Sequence, residues 1–572
     1  MLSSISKRNI FFIAIAAALV LLYIVPLGSY PLMEPDEGRY AEIPREMIES
    51  GNYITPMLNY VKYFEKPVFL YWMNAASFHI FGQNEFAARI GTALCALAGA
   101  LATGMLGAFI YGRITGFIAG VVTATSLLYF AIGTINITDM PLSFFLTLAF
   151  ASFYAAHVKE EKKYYLLFYF ACAMALLTKG LIGVVLPGAV IFFYIILTKQ
   201  WKLFYKPLYL PGIVLFFAVS VPWFYLVCRD NPDFFRFFFI QEHFLRYATK
   251  MHHRYEPFWF FFPMIPLGLV PWTAFFFALF SKKSVARSPE GAEEKRAGIY
   301  LALWFAVIFL FFSFSDSKLI PYIVPCLPPL AILIGADIVR MARDREWHGY
   351  VPLTLALTSG LLGAGLIIYP AFGEHASPAQ AWPIAVKAGF GLIGMPAVVW
   401  YYTSRGGKRY KEAVRALILC SVLFISGLQD VYNIVAPMRT MKEVSEVIIK
   451  ERKPGDVIVA YDEVLQGIPF YTGQRVMLVG NPGELEYGSK QPLEYGSKQP
   501  LEYGSKRPEG EGWFLSKEEF MRQWHAREKR FILVVKNGGR FEELFPRGDT
   551  GTAEKIERGK YVILFYREEP TK

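Results

Sequence analysis

The stretch KRNIFFIAIAAALVLLYIVPLGSY, Lys7 to Tyr30, decides the fold: two cations, then no charge from Asn9 to Tyr30. A helix of about 20 apolar residues is long enough to cross a hydrocarbon core of roughly 30 Å. The run is too long for the apolar part of a cleaved signal and no small-x-small site follows it, so it reads as a first span. Comparable runs recur to about residue 430 and then stop. Of 572 residues, 54% are hydrophobic, 17% aromatic and only 18% charged, which excludes water as the main solvent for most of the chain. The expected fold is an α-helical polytopic membrane protein of about thirteen spans, centred near residues 19, 97, 123, 148, 172, 189, 217, 269, 306, 330, 360, 392 and 421. The spans near 172 and 189 touch at Thr178-Lys179-Gly180, the least distinct boundary.

A net charge of +11 does not imply nucleic acid, because the cations fall in short clusters between apolar runs: Lys7/Arg8, Arg113, Lys159/Lys162/Lys163, Lys199/Lys202/Lys206, Lys282/Lys283/Arg287, Arg340/Arg343/Arg345 and Arg405/Lys408/Arg409/Lys411. Basic loops are retained in the cytoplasm. The N-terminus is therefore expected inside and everything after about residue 430 outside. Two domains are expected: a transmembrane domain over 1–430, with outer loops at about 30–84 and 229–257, and a soluble α/β domain over 431–572. The first outer loop reads as two helices along the membrane, Glu37 to Ser50 stopped by Gly51 and Pro67 to Phe81 stopped by Gly82. Phe69, Tyr71, Trp72 and Phe78 suit the second of these to an interface. In the tail, Asp456 to Tyr461, Arg475 to Val479, Phe531 to Val535 and Tyr561 to Tyr566 read as strands, preceded by a helix from Met441 to Glu451. The octapeptide LEYGSKQP at Leu485 recurs at Leu493 and, with Arg507 for Gln, at Leu501, and reads as a loop expansion. Cys95, Cys172, Cys228, Cys326 and Cys420 lie in or beside apolar runs and offer neither a disulfide framework nor a CxxC site.

Ionisable groups placed against the topology signal need a reason. On the outer side stand Arg39, Lys66, Arg246, Arg254 and Lys318, a set suited to an anion such as a lipid phosphate. Interfacial cations that snorkel would account for some of them. Carboxylates share this side: Asp36 and Glu37 in Met33-Glu-Pro-Asp-Glu-Gly-Arg-Tyr40, and Asp139 in Thr138-Asp-Met-Pro141. A carboxylate there can take a proton from an acceptor hydroxyl or stabilise charge at an anomeric carbon. Asp36 also stands where a helix N-cap belongs, and Asp139 opens a helix before Pro141. Glu65 and His243 are candidate ligands for a shared divalent metal, although two ligands so far apart in sequence make a weak signal, and His252 and His253 lie nearby.

Through Pro35-Asp-Glu-Gly-Arg-Tyr40, Tyr63-Phe-Glu-Lys-Pro67, Thr138-Asp-Met-Pro141, Glu242-His-Phe-Leu-Arg246 and Ser313-Phe-Ser-Asp-Ser-Lys-Leu319 with Tyr322 and Pro325, the chain resembles the GT-C class of integral-membrane glycosyltransferases. The resemblance is to the branch of aminoarabinose (lipid A) transferases and protein O-mannosyltransferases, and the five motifs occur in order. It implies a polyprenyl-phosphate-sugar donor and an inverting transfer at the outer face of a bacterial inner membrane. Lipid A or another envelope glycolipid is the implied acceptor, with transfer to proteins as the alternative. Asp36 resembles the family's key carboxylate and Asp139 its second acidic position. Lys66, Arg246, Lys318 and Tyr322 resemble phosphate ligands, while Arg39 and Arg254 join them on charge alone. Glu65 and His243 match positions associated with a metal, so a divalent ion such as zinc is implied, and no nucleotide cofactor. A lipid-linked-sugar flippase is the rival of a different class; it would place ionisable groups near the bilayer midplane and show repeated halves. A membrane scaffold presenting the tail would leave the outer acids and bases unexplained.

Overall fold

The computed structural model describes all residues except 1–6, 246–255, 282–290, 348–349, 370–377, 405–408, 491–511, 528, 547–549, 551–552 and 567–572. The chain forms two compact units, one of Met1–Leu27 with Arg89–Ile434 and one of Gly28–Ala88 with Val435–Lys572. The first outer loop, assigned from sequence to the membrane domain, thus clusters with the tail.

In the membrane unit and its flanks, nine helices among the described residues are long and apolar enough to cross a bilayer, ten if the bent pair Arg113–Thr125 and Leu127–Gly133 is one span. The exact count of thirteen is not confirmed among the described residues. The segments expected near 172, 189 and 269 form shorter helices: Lys163–Lys179, Ile182–Thr198 and, ahead of 269, Phe258–Gly268. Two physical causes stand out. Gly180, at φ 79°, ends one helix so that the next begins at Ile182, a conformation that favours glycine. Near 269, Pro266 and Pro271 interrupt the apolar run.

Small residues let the helices approach. A Cβ on Gly116 would lie 2.5 Å from the backbone nitrogen of Ala108, and one on Gly183 would lie 2.5 Å from the carbonyl carbon of Ala175. Buried polar side chains bridge helices through backbone acceptors. Arg89 donates to Leu27 O at 2.7 Å, Tyr23 to Ala124 O at 2.9 Å, and Tyr300 to Phe150 O at 2.8 Å. With no water in the hydrocarbon, each such donor needs a protein partner.

The second unit is built on a six-stranded sheet. A short hairpin pairs β1 (Met57–Leu58) with β2 (Val61–Lys62). The sheet comprises β3 (Val457–Tyr461), β4 (Val476–Val479), β5 (Phe514–Leu515), β6 (Phe531–Lys536), β7 (Ala553–Arg558) and β8 (Tyr561–Tyr566). Their order is β5-β4-β3-β6-β8-β7; β5, β4, β3 and β6 pair in parallel, and β8 runs antiparallel between β6 and β7. The parallel strands read VIVAY, VMLV and FILVVK because both faces are covered. One face holds Val459, Val479, Leu533 and Leu564 against Phe520 and Trp524 of the helix Lys517–Ala526. Ser516 caps that helix by accepting from the Glu519 amide at 3.1 Å, leaving one fewer orphan N–H.

Asn59, at the tip of the β1–β2 turn, clips the loop to the tail: its amide donates to Val476 O at 2.7 Å and accepts from Val476 N at 2.8 Å. Asn59→Ala strips both partners from a buried backbone unit and is expected to cost about 1–3 kcal/mol, read as a lower thermal midpoint in detergent.

Candidate active site

The helix Asp36–Ser50 carries most of the sites read from the loop. Sequence placed it along the membrane, but residues 37–47 are buried throughout. Buried charges require partners, and they have them. Arg45 makes a two-point contact with Glu42 at 2.6 and 2.7 Å and reaches Glu49 at 2.7 Å. The Glu46 carboxylate accepts from the Tyr60 amide. Gly38 is required by close packing, since a Cβ there would sit 2.8 Å from the Gly467 nitrogen.

Neither candidate carboxylate caps its helix. Pro35 and Thr138 occupy the cap positions, and no side-chain capping bond is made at either. The Asp36 side chain is 56% exposed and lies 3.7 Å from Arg39. Arg39, by contrast, is buried, paired with Glu484 at 3.0 Å and donating to the Tyr63 hydroxyl at 3.1 Å. The rings of Tyr40 and Tyr63 lie 5.6 and 5.9 Å from its guanidinium. Lys66 donates to the Glu65 backbone oxygen at 2.9 Å and stands 3.9 Å from the Glu65 carboxylate. The cations expected to await an anion are thus accompanied by carboxylates of the same unit.

Burial pushes Glu484 up to about 7, with Glu65 and Asp36 adding to the rise and Arg39 opposing it. Burial likewise pushes Glu34 from 4.5 to about 8, although the amides of Gly467 and Gln466, and then Arg39, pull it down. These amides donate to Glu34 at 2.5 and 3.2 Å, and Gln466 also bonds Glu484 through its side chain. Because the folded value lies above the unfolded one, the native state holds the proton more tightly. Glu34 therefore favours folding most at low pH, and that contribution declines from about pH 5 to pH 8. Glu34→Gln should flatten this part of the pH–stability profile measured by thermal unfolding.

In the membrane unit, Asp139 opens the helix Asp139–Lys159, which runs antiparallel beside Lys163–Lys179, so Lys179 arrives at the same end. Its ammonium lies 2.5 Å from the Asp139 carboxylate and 4.5 Å from the Tyr322 ring centroid. The sequence reading does not single out Lys179 as a site residue, yet it carries a signal: a lysine in the single polar break of an apolar run. Lys318 is buried and donates to Ser315 O at 2.5 Å and Glu256 O at 2.7 Å. Burial holds its ammonium below the ordinary value, outweighing Asp316 and Glu256. Glu484, Glu34 and Tyr63, which the structure brings to Arg39, are not among the residues singled out from sequence either; Glu484 lacks any sequence signal because it precedes a tandem repeat read as a loop expansion.

Arg246 and Arg254 lie outside the described residues, as does the side chain of His243, whose backbone belongs to the helix Arg236–Leu245. Among the described residues no three His, Cys, Asp or Glu side chains gather closely enough to hold a metal. Of the two implied ligands only the Glu65 side chain is described, so the divalent ion stays an implication of the resemblance.

A model of the dolichyl-phosphate-mannose-protein mannosyltransferase family matches residues 9–238. The undecaprenyl phosphate-alpha-4-amino-4-deoxy-L-arabinose arabinosyl transferase of Erwinia tasmaniensis is 30% identical over 96% of this chain and 97% of its own. Its counterpart numbered 1 in Proteus mirabilis is 32% identical over 83% and 86%. The crystal structure of ArnT from Cupriavidus metallidurans bound to undecaprenyl phosphate superposes with a TM-score of 0.81 at 26% identity, covering 98% of both chains. A polytopic helical bundle with an appended α/β sheet and these relatives define an integral-membrane glycosyltransferase of the GT-C class. The chain belongs to the undecaprenyl phosphate-aminoarabinose arabinosyl transferase family.

Proposed function

We propose that this enzyme moves 4-amino-4-deoxy-L-arabinose from undecaprenyl phosphate onto lipid A at the periplasmic face of the inner membrane, with the N-terminus cytoplasmic. The observation that carries the reading is the match over 98% of both chains to an ArnT bound to undecaprenyl phosphate. In a single displacement, an acceptor oxygen bonds the anomeric carbon as its bond to the donor phosphate oxygen breaks, inverting that carbon and releasing undecaprenyl phosphate. Charge develops on the leaving phosphate, and cations fixed in place stabilise it best where water is excluded. Lys66 is the proposed cation of the loop-and-tail unit. Lys318 and Tyr322 have the same proposed role in the membrane unit, where Lys179 and Asp139 form a fixed pair beside Tyr322. Arg39, held by Glu484, is proposed to position Asp36 and Tyr63. Asp36 orients the acceptor, and where the acceptor is a hydroxyl it also takes the proton.

Mass spectrometry of lipid A from cells with and without the chain tests this reading. Lipid A gaining an aminopentose only when the chain is present is expected; unaltered lipid A overturns it. The mannosyltransferase match over 9–238 favours one second reading, transfer to proteins. It would show as a hexose missing from envelope proteins of cells lacking the chain.

A further inference from the structure

The charge around Arg39 is unbalanced toward acid. Asp36, Glu65 and Glu484 stand against Arg39 and Lys66, and Glu34 acts electrostatically on the same group. Arg39 already has two carboxylate neighbours, so beside Glu484 an additional cation is welcomed. Two buried polar groups in the cluster make no hydrogen bond: the hydroxyl of Tyr71, which is 0% exposed, and the Nε–H of Arg39. The Tyr71 hydroxyl lies within electrostatic reach of Arg39, Glu65 and Glu484, and its ring is 6.2 Å from Tyr40. Buried polar groups are normally paired. An unused donor, and a hydroxyl that can donate or accept, beside surplus carboxylate match a ligand with hydroxyls and an ammonium.

Packing by Tyr487 and Gly488 holds Glu484 in this cluster. Tyr487 lies against Phe64 at 5.9 Å, and Gly488 sits so closely on the Lys62 backbone that no Cβ fits. The first octapeptide copy therefore has a packing role next to the site.

We propose that Glu484, with Glu65, binds the protonated amine of the transferred sugar while Tyr71 and the Arg39 Nε–H bind its hydroxyls, so that this cluster selects an amino sugar over a neutral one. The inference rests on the transfer reading above. A 4-aminopentose linked through its first carbon carries phosphate and amine at opposite ends, so one donor can offer phosphate to Lys66 and ammonium to Glu484.

The test uses the full chain in detergent with two undecaprenyl-phosphate pentoses that differ only at the fourth carbon, amine against hydroxyl. Wild type is expected to favour the amine in kcat/KM, and Glu484→Gln to shrink that preference by roughly 10- to 100-fold, mainly through KM of the amino donor. Glu484→Asp should recover part of it, and Tyr71→Phe should lower kcat/KM for both donors. Glu65→Gln provides a second removal of charge should Glu484→Gln fail to fold. Equal losses for both donors in the Glu484 and Glu65 variants, or a wild type indifferent to the amine, overturn the inference. Failure of wild type to release undecaprenyl phosphate from either donor overturns the transfer reading itself and this inference with it.

Discussion

Asp36→Asn is expected to cut turnover by about a hundred- to ten-thousandfold, the range of a positioned acid–base or orienting group, while the donor still binds. Asparagine keeps the shape and removes the charge. Asp36 caps no helix and is more than half exposed, so its loss should leave stability nearly intact. The acceptor separates the two roles open to it. A phosphate acceptor is already ionised at neutral pH and has no proton to give, so activity lost there is lost orientation. A hydroxyl acceptor would add a pH dependence that the variant abolishes. Turnover of Asp36→Asn equal to wild type would remove the residue from the mechanism.

Lys179→Met is the second large effect expected, a loss of about a hundred- to a thousandfold in kcat, as for removal of one fixed charge-stabilising donor. The Lys179 side chain is 10% exposed and that of its partner Asp139 13%, so the single variant strands a carboxylate among apolar helices. Breaking a buried pair from one side costs about 3–5 kcal/mol of stability. The double variant Lys179→Met/Asp139→Asn separates the two effects. It should regain much of the thermal midpoint yet stay as inactive as the worse single variant, because residues acting as a unit are not additive. Recovered activity in the double variant would mean that the pair serves folding alone.

Much of this was legible in the sequence because the physics is local. A run without charge from Asn9 to Tyr30 can only seek apolar surroundings, and Gly51 and Gly82, at φ 71° and 76°, end their helices where the sequence placed the stops. The strands β3, β4, β6 and β8 announced themselves by apolar runs. The edge strands did not: β5 has two residues, and β7 reads AEKIER, the charge that protects an edge from pairing with another chain also hiding it. Partnership was the hardest thing to read. Arg39 and Glu484 lie hundreds of positions apart, and nothing in either segment says that one neutralises the other. Lys179 is the intermediate case, visible as an anomaly but not as the partner of Asp139. The helix Asp36–Ser50 was expected along a surface because its composition is polar; it is buried because its charges find each other.

The purified full-length chain, reconstituted with undecaprenyl-phosphate aminoarabinose and lipid A, provides the most direct measurement. Release of undecaprenyl phosphate in step with aminoarabinose appearing on lipid A is the predicted result. Consumption of donor without modified lipid A, or no release of undecaprenyl phosphate at all, would contradict the account.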